Sequence, residues 1–182
     1  MRILRLLLLA LPLTLAGCIL VSGQIITDLQ LGDLSVSSLL PYYKYDVNLN
    51  DNSDYQKHKD DLVSLADFAV LGKITNNNAA AVDVEIYMTH AITTYTDVPT
   101  IKANAIKVWG PFHLAASETK TIGWDESAAL FSAAGKAALL QEAIGTTGDA
   151  TFTLYAVGTT AAATYSFTIP DARLVLVLDG HP

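Results

Sequence analysis

The cleanest alternation in the chain runs from Val82 to Thr89. Val82, Val84, Ile86 and Met88 are apolar, and Asp83, Glu85, Tyr87 and Thr89 lie between them. A period of two places the apolar set on one face of a strand. Tyr42 to Leu49 repeats the pattern, with Tyr43, Tyr45, Val47 and Leu49 on one face and Tyr42, Lys44, Asp46 and Asn48 on the other. Phe68 to Thr75 is a third run, and the polar Asn76-Asn77-Asn78 turn joins it to Val82–Thr89 in what reads as a hairpin. Upstream, Ile25, Leu29, Leu31, Leu34 and Val36 predict a first strand or two. Ala105 to Trp109 and Thr119 to Trp124 are strand candidates on either side of Pro111. Thr151 to Val157, Thr164 to Ile169 and Arg173 to Leu178 close the chain. The last of these is continuously apolar, as expected of a strand buried on both sides.

Two stretches change period. Ser53 followed by Gln56 matches a capping box, and a short helix is expected from Asp54 to about Ala66, with Tyr55, Leu62 and Leu65 or Ala66 on one side. Lys57 and Asp61 stand four apart on it, a spacing that lets them pair. Glu126 to Ile144 is rich in alanine, with Leu130, Phe131, Ala134, Ala138 and Gln141 at three- and four-residue steps. Asp125 or Ser127 can cap this longer helix and Gly145 can end it; Gly135 in its middle costs about 1 kcal/mol against alanine, so the helix is expected to be imperfect. Residues 91–104, rich in threonine and containing Pro99, read as a long loop. The fold class that follows is mainly β: an antiparallel β-sandwich of about seven to nine strands with helices near 54–66 and 126–144. From about Phe68 to Leu178 this order of elements is similar to the late-embryogenesis-abundant type 2 (water-stress) sandwich. The similarity is one of element order, and no functional residue is carried over from it.

The amino terminus follows other rules. Arg2 and Arg5 form a basic start, Leu6 to Leu11 is an unbroken apolar run, and Leu15-Ala16-Gly17-Cys18 follows. Basic start, short apolar core and small residues before a cut are the parts of an export signal. The last four residues resemble the lipobox of bacterial lipoprotein precursors. The resemblance implies a signal peptide over 1–17, cleavage before Cys18, and diacylglycerol on the Cys18 sulfur with a further acyl chain such as palmitate on the freed amine. Each buried methylene contributes about 0.8 kcal/mol, so two or three chains hold where one is marginal. The expected organisation is signal peptide 1–17, a short lipidated tether 18–23 and a single domain 24–182. The membrane is then a partner through Cys18. Ile19, where an aspartate would favour inner-membrane retention, leans by the same resemblance toward an outer membrane in a Gram-negative cell.

Charge sharpens this. The chain carries net −7, and residues 1–17 hold two of its basic residues and no acidic one, so the remainder stands at −9. That excludes the basic footprint a nucleic-acid partner needs. Cys18 is the only cysteine; acylated, it leaves the domain without thiol chemistry or disulfides.

Catalytic motifs are missing from the sequence. Histidines 58, 90, 113 and 181 share no ligand spacing, and no nucleophile elbow or phosphate-binding glycine loop is present. The oxygen-rich turn Asp46, Asn48, Asn50, Asp51, Asn52 and Asp54 begins like a calcium loop, Asp-x-Asn-x-Asn. It has Asp51 where that loop requires glycine and Lys57 where it requires glutamate. Asp51 and Asp54 stay as weak metal candidates beside ordinary turn chemistry. Trp109, Trp124, Tyr42, Tyr87, Tyr95 and Phe112 suggest either an aromatic stacking patch or core packing. No cofactor is expected. The leading reading is a non-enzymatic, membrane-tethered module that binds or scaffolds an envelope or surface protein. An extracytoplasmic binder of a small ligand, sugar or Ca²⁺ is the alternative, and a hydrolase would need two carboxylates converging in a cleft.

Overall fold

The computed structural model describes residues 24–144, 149–160 and 164–180. It is a β-sandwich of two four-stranded antiparallel sheets. The first holds β1 (Gln24–Ser37), β8 (Ser166–Gly180), β3 (Leu62–Asn76) and β6 (Thr119–Ile122), in that order. The second holds β2 (Tyr42–Asn48), β7 (Thr151–Thr159), β4 (Val82–Thr89) and β5 (Ile106–Leu114). The inner faces are supplied by the alternating positions read from the sequence. Leu174, Leu176 and Leu178 of β8, with Phe68 and Val70 of β3, face Val84, Ile86, Phe152 and Leu154 in one continuous core. The apolar Arg173–Leu178 run is central as expected, flanked by β1 and β3 over most of its length.

The expected hairpin between Phe68–Thr75 and Val82–Thr89 does not form. β3 pairs with β6 and β8, whereas β4 pairs with β5 and β7, so residues 77–81 arch from one sheet to the other. Asn76 builds the arch. Its buried amide donates to the carbonyls of Ala80 at 2.8 Å and Ala115 at 2.9 Å, and its carbonyl accepts from the Asn78 amide. An arch and a hairpin require the same alternation and the same polar turn, so the pattern alone does not separate them.

The first helix is also shorter than expected. α1 covers only Ser53–His58. A 3-10 turn over Lys59–Asp61 follows, and Leu62 already begins β3, in register with Gly180. The cap is Asn52 rather than Ser53, its side chain accepting from the amides of Asp54 and Tyr55. Lys57 meets Asp54 at 3.4 Å instead of Asp61. Helix propensity over 62–66 is outweighed by the ladder that β8 offers those residues.

Other boundaries shift for local reasons. Within 91–104 a helix forms, α2 (Val98–Asn104), capped by Asp97 with proline in its first turn. The alanine-rich segment breaks into α3 (Trp124–Ala129) and α4 (Ala133–Ala143), with Ser132 capping the second through the Gly135 amide. Trp124 thus opens a helix rather than closing a strand. β5 runs through the cis Gly110–Pro111 bond, and β8 unites two expected strands across Pro170 and Asp171.

Helices guard the sheet edges. β6 covers only Gly72–Thr75 of β3. Beyond it α3 takes over, and the buried Ser127 hydroxyl accepts the Val70 amide at 2.7 Å. On the edge of β5, Ser132 donates from its amide to Val108 and from its hydroxyl to Lys107. The β1 edge is treated differently: the Tyr45 hydroxyl crosses from β2 and donates to the Gln30 carbonyl at 2.7 Å.

Candidate functional site

The connections between strands divide by chemistry. At one end lie residues 38–41, 77–81, 115–118 and the described residues of 160–165, almost all Ser, Thr, Asn, Ala, Leu or Pro. Glu118 is the one charged residue among them, and its carboxylate is held by the Ala115 amide at 2.7 Å. At the other end lie the remaining connections, which carry the helices and the acidic turns, including Asp51, Asp54, Asp60, Asp61, Asp125 and Asp149. Gln24, where the described chain begins, is at this acidic end, opposite Asp179.

Two polar hollows open there. One, of about 270 Å³, is lined by Asn50, Tyr55, Lys59, Asp60, Ile144 and Asp149. The other, of about 240 Å³, lies between β1 and β2 and is lined by Asp28, Gln30, Tyr45, Asp46, Asn48 and Asp51. The oxygen-rich turn is therefore split. Asp51 faces the second hollow and accepts from the Asn48 amide at 3.0 Å. Asp54 pairs with Lys57. Asp46 lies on the strand; burial raises its carboxyl, but hydrogen bonds from Lys44 and Thr153 outweigh that and hold it below the usual value. Among the described residues no three His, Cys, Asp or Glu side chains are grouped to hold a metal ion. Cys18 and His181 lie outside the described residues.

One buried carboxylate was not singled out by the sequence. Glu142 of α4 is 1 % exposed, with Oε1 2.8 Å from Nδ1 of His90 and Oε2 buried without a partner. Burial pushes its carboxyl up and Asp149 adds to that, against the pull of His90. Tyr55, whose hydroxyl donates to the Ala143 carbonyl, is raised by burial and by Glu142. The pair joins the end of β4 to the end of α4. Its only signal in the sequence was a glutamate on the alanine-rich face of a helix. His113 meets Asp83 at 2.9 Å on the surface, and His58 is exposed on α1.

The aromatic candidates separate into three places. Trp109 and Phe112 are core residues stacked at 5.6 Å, and the Trp109 indole donates to the Ser127 carbonyl. Trp124 is half-buried and donates to Asp67 at 2.7 Å. Tyr42, Tyr87 and Tyr95 gather around the buried Tyr155 on the outer face of the second sheet, where α2 covers them with Ile101. That cover explains why Tyr87, at an outward position, is buried. Beside it the Glu85 carboxylate takes Lys102 at 2.8 Å, Lys107 at 3.4 Å and the Tyr87 hydroxyl at 3.1 Å. Burial and the Glu85 charge lift the Tyr87 hydroxyl to about 12. This network fastens the 91–104 segment down; it does not present an open aromatic platform.

No family model matches the chain, and no curated protein does. Solved structures of infectious bursal disease virus are among those it is similar to. The Gx strain structure is 11 % identical over 87 % of this chain and 30 % of that one, with a TM-score of 0.27. The Gt strain structure is 10 % identical over 87 % and 31 %, also at 0.27. The crystal structure of the T13 viral particle is 8 % identical over 87 % and 36 %, at 0.28. This chain spans about a third of the length of the chains it matches. Scores this low carry no argument about fold or function.

Proposed function

We propose that the chain is a bacterial envelope lipoprotein, held to a membrane by lipid on Cys18, whose sandwich binds or scaffolds an envelope partner and is not an enzyme. The observation that carries this is Leu15-Ala16-Gly17-Cys18 behind a basic start and an apolar run. The position of the first strand supports it. β1 begins at Gln24, six residues past Cys18, a tether of at most about 20 Å. The anchor would therefore sit directly under a folded domain. Ile19 favours the outer membrane where there is one. Binding is preferred to catalysis because three of the perturbed carboxylates, Asp46, Glu85 and Glu142, each engage a basic neighbour, and the fourth, Asp149, is held by Thr151.

Acyl labelling tests the anchor. Labelled palmitate is expected in the native chain and absent from Cys18→Ser, with uncut precursor accumulating in the variant. Equal labelling of both, or of neither, overturns the reading. Crosslinking of the lipidated protein in cells tests the second half: an envelope protein recovered reproducibly with the native chain supports it, and none above background counts against it.

A further inference from the structure

Three of the large apolar side chains that the described residues leave exposed belong to β1 or the turn that follows it: Ile26, Leu39 and Leu40. Leu39 is 95 % exposed and Leu40 59 %. They are not on a loose loop. The Ser37 amide donates to the Leu40 carbonyl at 2.9 Å, and the Leu40 amide donates to the Ser37 hydroxyl at 3.1 Å. Next to them the Ser38 amide donates to Tyr165, whose hydroxyl reaches Pro41. A turn pinned on both sides thus holds two leucines in water, at the end of an acidic domain whose connections carry a single charged residue, Glu118.

The side of the sandwich below this turn has matching chemistry. Tyr43 and Tyr45 of β2 close the seam to β1, with apolar rings in the gap and hydroxyls on the β1 carbonyls of Leu31 and Gln30. Between them opens a narrow slot lined by Leu31, Leu34, Tyr43, Tyr45, Ile86 and Leu154. Tyrosines with an apolar body and a wet tip are the side chains that sit at a membrane–water boundary. Of the four acids along the edge, Asp28 is compensated by Arg173 and Asp46 by Lys44, while Asp33 and Asp51 have no basic partner among the described residues.

The geometry points to a lipid bilayer as the occupant of this edge: the domain reclines with β1 along the membrane that carries its anchor, and Leu39–Leu40 forms a second point of attachment. The inference rests on the lipid-anchor reading. Two observations select lipid over a protein. Two leucines, 95 % and 59 % exposed, supply only a small part of the about 800 Å² per partner of a stable protein interface. A small apolar turn does suffice beside a tethered surface, because the anchor confines it there at high effective concentration. The chain also enters β1 from the Cys18 side, so the edge strand is the element delivered first to the membrane. β1 spans about 44 Å between its two ends, and the two attachments would fix its direction along the surface.

The test uses the lipidated full-length mature chain in phosphatidylcholine vesicles. Cys18 is blocked by lipid, so Leu39→Cys offers a single site for an environment-sensitive fluorophore, and the native chain should take up none. Ala134→Cys, exposed on α4 at the opposite edge of the sandwich, is the control. The label at 39 is expected to shift to the blue and lose emission to spin-labelled phosphatidylcholine, while the label at 134 does neither. Adding Leu40→Asp should remove the quenching with no change in flotation or melting temperature. A chain that floats with both labels equally in water overturns this inference alone. A chain that does not float overturns the anchor reading with it.

Discussion

Ser127 shows how much can depend on one hydroxyl. It is fully buried, takes the Val70 amide at 2.7 Å and the Trp109 indole at 3.1 Å, and so links β3, β5 and α3. Removing it strands a buried donor, which costs about 1–3 kcal/mol. Ser127→Ala is expected to lose that much in chemical denaturation; an unchanged midpoint would place the Val70 bond elsewhere. Glu142 makes the opposite prediction. A group raised in the folded state stabilises most below its ordinary value of 4.5, and loses that contribution as pH rises through the raised value. Glu142→Gln should therefore be the more stable protein at neutral pH, by about 1 kcal/mol. The gap should close as melts are repeated toward pH 4. A native protein that is the more stable at pH 7 would mean the His90 bond outweighs burial. The sequence offers Ser127 only as a helix cap, a place Gly123 takes instead, and does not single out Glu142. A serine at a helix start and a glutamate among alanines look like surface chemistry until the sheet edges that meet them are known.

The strands of the sandwich were read well where alternation was clean, as in Tyr42–Leu49 and Val82–Thr89, because burial of one face imposes that period directly. What failed was partnership and length. β3 was cut short at Phe68 because Leu62–Ala66 fits both a helix face and a strand, and β8 is far away in sequence. The sequence reads Glu126–Ile144 as one helix weakened at Gly135, whereas the segment breaks at Leu130–Ser132, where Phe131 bridges to Trp109. Gly135 instead lets α4 approach β5: a Cβ there would lie 2.5 Å from the Val108 Cα. Alanine, the better helix former, is expected to destabilise at this site by about 1–3 kcal/mol through forced displacement. Thermal melting of Gly135→Ala checks this, and a stabilised variant would show that the helix can shift without loss. For the candidate site, the acidic turn was found but not its division between two hollows. That division depends on where α1 ends.

At the scale of the molecule, the chain changes sheets at every connection but the one from β4 to β5. Neither sheet is a contiguous stretch of sequence, so the two should melt as one unit. Amide exchange is expected to be slowest in Leu174–Leu178, paired on both sides within the core, and faster at Gln24–Thr27 at the sheet margin. Fast exchange at Leu174–Leu178 would mean the sheets open separately. The domain holds no cysteine beyond position 18, so reductant should leave its melting unchanged. The position of β8 also governs the order of events at synthesis. β1 and β3 are made early, yet they do not touch in a ladder; the strand that belongs between them is the eighth in chain order. Until it emerges, the first sheet has a gap at its centre and its two halves have no reason to close. A nascent chain built this way stays open for nearly its whole length. The export proposed for this chain would need that state, and the strand order itself delays folding.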